Sequence, residues 1–223
     1  MPRRPRASTG GYVYHVLNRA VGRATLFETP ADYEAFVRIL VEAPQHVPMR
    51  LLAWCLMPNH WHLVLWPRED GELSDYLRWV TVTHTQRWHA AHGTSGTGPL
   101  YQGRFKSFPV QSDEHFWTVC RYVERNALRA KLVRSAPNWL WSSLPRRTRS
   151  GEPRLSAGPT PLPRDWTAWV QRAESPAELE ALRRSVVRGA PYGTDRWQKQ
   201  TALRLGLGAT LRPRGRPRKE TTP

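Results

Sequence analysis

The chain has 223 residues, with 34 Lys+Arg against 18 Asp+Glu and a formal net charge of +16. Length favours one domain of about 150 residues with a further segment appended. An apolar fraction of 39% excludes wholesale disorder, and no run approaches the ~20 apolar residues of a membrane span. The basic N-terminus lacks the apolar stretch of a secretory signal. Two cysteines, Cys55 and Cys120, exclude a disulfide framework and fit a reducing cytosol. Only four cations are lysines, which fits GC-rich coding, but codon usage does not explain the net charge. A cationic surplus of this size beside 11 Trp, 7 Tyr and 5 Phe points to a polyanion with bases available for stacking.

In chain order, residues 11–18 (GYVYHVLN) alternate like a strand. Residues 29–46 open on Thr-Pro and repeat apolar positions at helical spacing. MRLLAWCLM (49–57) and HWHLVLW (60–66) are two apolar strands joined by a short reversal at Pro58-Asn59. Residues 73–92 form an amphipathic helix with Leu73, Leu77, Val80 and His84 on one stripe; His84, His89 and His92 are expected at the surface or the core edge. Residues 100–110 form a further strand and 112–132 a further helix. The order β-α-β-β-α-β-α predicts an α+β, ferredoxin-like antiparallel sheet with helices on one face plus an extra C-terminal helix.

The charge divides the chain. Residues 1–145 carry 17 cations and 11 acids, a net of +6, whereas 146–223 carry 17 and 7, a net of +10. The sequence therefore predicts a domain over 1–145. It is followed over 146–223 by a Pro/Gly/Ser/Arg-rich linker, a short helix at 176–187 and a disordered Arg-rich tail.

His60 and His62 alternate along one strand and face the same side, ~6.5–7 Å apart along the backbone. Two neutral imidazoles so placed can share a divalent metal. Any two polar residues beside a turn look alike in sequence, but here both flanking strands are apolar, and histidines in a buried strand need compensation. On the last helix, Tyr122 and Asn126 form an i, i+4 pair at the edge of the apolar stripe of Phe116, Cys120, Val123, Ala127 and Ala130. A tyrosine in that position often only caps a core. Asn126, however, offers a carbonyl oxygen suited to a hard cation, and the phenol beside such a metal is placed to attack phosphorus. Arg121, Arg125 and Arg129 surround the same helix with charge suited to phosphates, and Arg104 and Lys106 share one side of a strand.

MPNHWHLVLWP, LYQGRFKSFPVQ and YVERNALRAKLV, in that order and spacing over about 11–145, resemble the IS200-like single-tyrosine HUH transposases. The branch associated with repetitive extragenic palindromes (REP) is the nearest, with HVLNRAVGRATLF and LRPRGRPRK also typical of it. The resemblance implies a DNA nicking and strand-transfer enzyme acting on single-stranded DNA with palindromic hairpins. His60 and His62 would bind Mg²⁺ or Mn²⁺, Asn126 would complete the metal site where some relatives carry Gln, and Tyr122 would form a 5′-phosphotyrosine bond. It also implies a monomer more readily than a dimer, in the cytoplasm and at the nucleoid. No phosphate-binding loop is present, so no organic cofactor is expected. The tail around Arg214, Arg216 and Arg218 resembles an AT-hook, which inserts Arg-Gly-Arg into a minor groove, and equally a polybasic segment that adds nonspecific affinity. The competing readings are a nucleic-acid-binding module without chemistry and a zinc hydrolase, the latter lacking acidic ligands or an H-E-x-x-H helix.

Overall fold

The computed structural model describes residues 7–148 and 151–212. Four strands, β1 (Val13–Arg19), β2 (Arg50–Met57), β3 (His60–Trp66) and β4 (Lys106–Val110), form one antiparallel sheet in the order β2-β3-β1-β4. The helices α1 (Pro30–His46) and α2 (Glu72–His92) cross over between strands, as expected of the ferredoxin-like arrangement. Thr29 and Pro30 start α1 as the sequence indicates, with Asp32 Oδ2 accepting from the Thr29 and Glu28 amides at 2.8 and 2.9 Å.

Side chains alternate across each strand, so the sheet presents two different faces. Tyr14, Val16, Trp54, Leu56, Trp61, Leu63 and Leu65 pack with Phe36, Ile39, Leu73, Tyr76 and Leu77 of α1 and α2 in one buried cluster. The other face, with Val13, Ala53, Cys55, Met57, Val64 and Phe108, packs against Phe116, Val119, Cys120 and Val123. The helix expected over 112–132 is interrupted. It runs as α3 (Glu114–Glu124) and α4 (Asn126–Arg129), with Arg125 between them at φ −87°, ψ −1°. The break falls where Arg125 and Arg129 both turn to one carboxylate, Glu174. The strand expected over 100–110 is regular only from Lys106, the chain before it being tied to β1 through a Tyr101–Ala20 bridge.

Beyond residue 145 the chain is integrated rather than strung out as a linker. It contains α5 (Leu144–Thr148), α6 (Trp166–Gln171), α7 (Pro176–Arg188), α8 (Asp195–Arg204) and α9 (Gly208–Leu211). The Ser156 amide donates to Leu51 O at 2.8 Å, and Trp166, Val170, Leu182 and Tyr192 join the second core. That face is therefore covered by α3 together with the C-terminal segment, a coverage that a composition-based linker reading cannot reveal. The helix predicted at 176–187 is α7, opened by a Ser175/Glu178 capping box and closed by Gly189 at φ 70°. Cys55 and Cys120 are free, as expected, and both are buried. His84 is not at the surface. It is 2% exposed, and its Nδ1 is hydrogen-bonded to the Tyr101 hydroxyl at 2.6 Å. Among the described residues no helix is long and apolar enough to cross a membrane.

Candidate active site

β3 starts at the Pro58-Asn59 reversal, and its alternation turns both His60 and His62 to the α3 face. The two rings lie 5.0 Å apart between centroids. Register across β1 places Leu17 opposite His62 and Arg19 opposite His60. Tyr122 comes from the last turn of α3, with its ring edge-on to His62 at 6.0 Å between centroids and only 9% exposed. Asn126 opens α4 one turn on and is 7% exposed. The strand histidines and the helix tyrosine, far apart in sequence, thus meet within one chain.

The electrostatics favour neutral imidazoles. Burial, aided by the Arg19 and Arg129 charges, pulls His60 down to about 4. Burial, then His60, His15, Arg129 and Arg19, hold His62 well below the ordinary histidine range. Each ring also has its Nδ1 engaged: His60 with Asn59 Oδ1 at 2.6 Å, His62 with His15 Nε2 at 2.9 Å. An amide oxygen only accepts, so His60 carries its proton on Nδ1 and leaves Nε2 bare. Two neutral imidazoles and one amide oxygen fit a divalent cation, and this mixed N/O set suits Mn²⁺ better than the all-oxygen preference of Mg²⁺. A separate group, Asp113, Glu114 and His115, has ligand atoms within 4.8 Å of one another. It caps α3, Asp113 Oδ1 accepting from the His115 amide at 3.0 Å, and Glu114 lies ~12 Å along the helix from Tyr122.

Arg129 holds the tyrosine from above. Its Cζ sits 4.0 Å over the Tyr122 ring, and its Nη1 donates to Tyr122 O at 3.3 Å and to Glu174 Oε1 at 3.0 Å. Arg125 donates to the other oxygen of Glu174 at 3.1 Å, and Arg121 pairs with Glu178 at 2.7 Å. Arg121 and Arg125, expected from the sequence to hold DNA phosphates, are here both engaged by carboxylates of the same chain. Their side chains, 6% and 14% exposed, pair with acids of the C-terminal segment. Arg104 and Lys106 are exposed and line a cleft of about 320 Å³ with Leu17, Arg19, Gln102 and Val187. Arg214, Arg216 and Arg218 lie outside the described residues.

Sequence reasoning missed His15 and Arg19. His15 is wholly buried in the strand that separates β3 from β4, and the signal was a lone imidazole in an apolar run. Arg19 Nε is buried without a hydrogen-bond partner among the described residues, and the same side chain lines the cleft beside His60.

The sequence profile of the family described as "Transposase IS200 like" matches residues 8–126, more than half of the chain. A solved structure of a REP-associated tyrosine transposase bound to a REP hairpin superposes with TM-score 0.57 at 18% identity, covering 73% of this chain and 95% of that one. A putative transposase from Deinococcus radiodurans R1 aligns at TM-score 0.40 and 16% identity, over 59% of this chain and 95% of its own. No curated protein matches significantly. The profile match, spanning β1 through Asn126, shows that the chain belongs to the IS200-like transposase family of DNA-processing enzymes.

Proposed function

We propose that the protein is a metal-dependent single-strand DNA endonuclease and strand transferase of the REP-associated branch, acting on palindromic hairpins. The observation that carries this reading is the Tyr122 ring set edge-on to His62, 6.0 Å away, beside a second neutral histidine. The hairpin held by the structural neighbour supports the choice of DNA. Tyr122 packs against His62 of its own chain, which supports action as a monomer.

Nε2 of His60, Nε2 of His62 and the Asn126 amide oxygen would hold Mn²⁺ or Mg²⁺, which polarises a phosphodiester when bound. Tyr122 Oη attacks phosphorus, the P–O3′ bond breaks, and the departing 3′ oxygen takes up a proton as the phenol loses its own. The products are a free 3′-hydroxyl and a 5′-phosphotyrosine, whose ester preserves the energy for rejoining. Arg129, fixed by Glu174, keeps the ring from swinging away. Arg19, Arg104 and Lys106 receive the phosphates of the strand in their cleft, and the tail with Arg214, Arg216 and Arg218 adds affinity. No organic cofactor takes part, and the setting is the cytoplasmic nucleoid.

The test incubates the full chain with Mn²⁺ and an end-labelled single strand carrying a hairpin. The expected result is a labelled protein band that survives denaturing electrophoresis and is absent with EDTA. Hairpin binding with no adduct under any metal would assign the protein to the non-catalytic class.

A further inference from the structure

His15 has no place in the chemistry so far, yet it sits at the centre of the site. It lies on β1, wholly buried, with its ring 5.0 Å from His62, 4.9 Å from Phe108 and 6.1 Å from Tyr122 between centroids. Its Nε2 is 2.9 Å from His62 Nδ1, and its own Nδ1 has no partner among the described residues. A ligand role for His15 does not fit. Among the described residues, the group whose three ligand atoms converge within 4.8 Å is the α3 cap, and His15, His60 and His62 do not so converge.

A metal-binding histidine presents one bare nitrogen and gives the proton of the other to an acceptor, which fixes ring orientation and tautomer. His60 satisfies this with Asn59. For His62 the hydrogen bond to His15 has two arrangements. If His15 Nε2–H donates, His62 must carry its proton on Nε2 and has no lone pair there for a cation. If His62 Nδ1–H donates, His15 accepts and His62 Nε2 is bare. The His15 Nδ1 stays unpartnered in both, so it does not discriminate between them. We propose that His15 is a positioning residue: its Nε2 accepts the Nδ1 proton of His62 and holds that ring with Nε2 turned to the divalent cation. This rests on the metal site proposed above.

Two measurements on the full chain separate the claims. Long-range ¹H–¹⁵N spectra of the metal-free, ¹⁵N-labelled protein at pH 7 report which nitrogen of His62 carries the proton, and Nδ1 is expected. Titration with Mn²⁺ then compares variants. His15→Phe fills the space without an acceptor and should weaken Mn²⁺ binding by about 10–100-fold. His15→Gln retains an acceptor oxygen at similar reach and should bind within about threefold of the wild type. Equal affinity of His15→Phe and wild type overturns the proposal. So does a His15→Gln variant as weak as His15→Phe, because packing and not the acceptor would then be the cause. If the Phe variant does not fold, the Gln variant and the wild-type spectrum decide. If the wild type itself binds no Mn²⁺, the metal reading falls, and the spectrum still judges His15: a proton on Nε2 of His62 refutes it.

Discussion

The two faces of the sheet are built from the same strands and solve opposite problems. The face under α1 and α2 is closed and apolar, with Trp54, Trp61, Phe36 and Tyr76 all fully buried. A polar chain runs inside it: Trp61 Nε1 donates to the Tyr101 hydroxyl at 3.0 Å, and that hydroxyl lies 2.6 Å from His84 Nδ1. The face under α3 buries His15, His62, Asn126, Arg121, Glu124 and Glu174. Burying charge is costly unless it is paired, and here every buried carboxylate has its cations. Glu124 takes Arg147 at 2.7 Å, Trp166 at 2.6 Å and Ser143, while Glu174 takes Arg125 and Arg129. One face supplies stability by area alone. The other carries a heavier polar load, and Tyr122 and His62 are buried within it.

The largest expected contrast is at Tyr122. Tyr122→Phe keeps the ring under Arg129 and should change stability by less than about 1 kcal/mol, while single-turnover cleavage falls at least about 10³-fold. Hairpin binding should stay within a few-fold. Cleavage persisting in this variant would remove Tyr122 from the mechanism and make the two faces functionally alike.

Next comes Glu174→Ala, which strips the counter-charge from two largely buried arginines and should cost about 3–5 kcal/mol in chemical unfolding. Trp61→Ala on the closed face should cost a similar amount through the cavity it leaves. The two differ on repair. A second change of Arg125 and Arg129 to Met should recover part of the Glu174→Ala loss, whereas it should do nothing for Trp61→Ala. Failure of that rescue would mean the ion pairs are incidental to the α3 face.

A smaller effect concerns acid. Burial pulls His84 down to about 3 in the folded state, against 6.5 unfolded. As pH falls below 6.5 the unfolded chain takes up a proton that the folded chain refuses. The stabilising preference for the neutral ring is therefore complete above 6.5 and is lost progressively toward 3, at ~1.4 kcal/mol per pH unit. His84→Phe should lower stability at pH 7 by about 1–3 kcal/mol through the orphaned Tyr101 hydroxyl, yet show a slope shallower by that one proton between pH 6 and 4. Urea titrations at four pH values measure it, and an unchanged slope would show His84 is not held neutral.

The smallest effect on chemistry is expected at the tail. Truncation after Leu211 removes Arg212, Arg214, Arg216, Arg218 and Lys219 and should flatten the log–log salt dependence of binding by about three units. The rate at saturating DNA should stay nearly intact. A truncated protein that binds and no longer cleaves would place a tail residue in the site.

What was legible in the sequence was local. The strand alternation of HWH, the reversal before it and the i, i+4 spacing of Tyr122 and Asn126 depend on neighbours a few residues away, and the strand order follows from an alternation of element types. What escaped depends on distant partners. Nothing within ten residues of Glu174 announces that it will be buried against Arg129, 45 positions earlier, and the same absence made Arg121 and Arg125 look like free phosphate ligands. The Pro/Gly/Arg-rich stretch after residue 145 reads as a linker because packing against a sheet face can be achieved with few apolar anchors, Trp166, Val170 and Leu182 among them. His15 lay between, visible as a polar residue in an apolar strand but without a partner until β1 was seated beside β3.

The clasp of Glu174 on Arg125 and Arg129 also has a meaning in time. A ribosome extends the chain at about 5–20 residues per second, so the 45 positions from Arg129 to Glu174 take ~2–9 s to make. Through that interval the nascent chain already carries both histidines and the tyrosine, but the arginine above the tyrosine has no anchor. The clasp is supplied only after the whole HUH-bearing segment has been translated. The clasp is thereby completed late, and a chain stopped before residue 174 would carry His60, His62 and Tyr122 without the carboxylate that anchors Arg129.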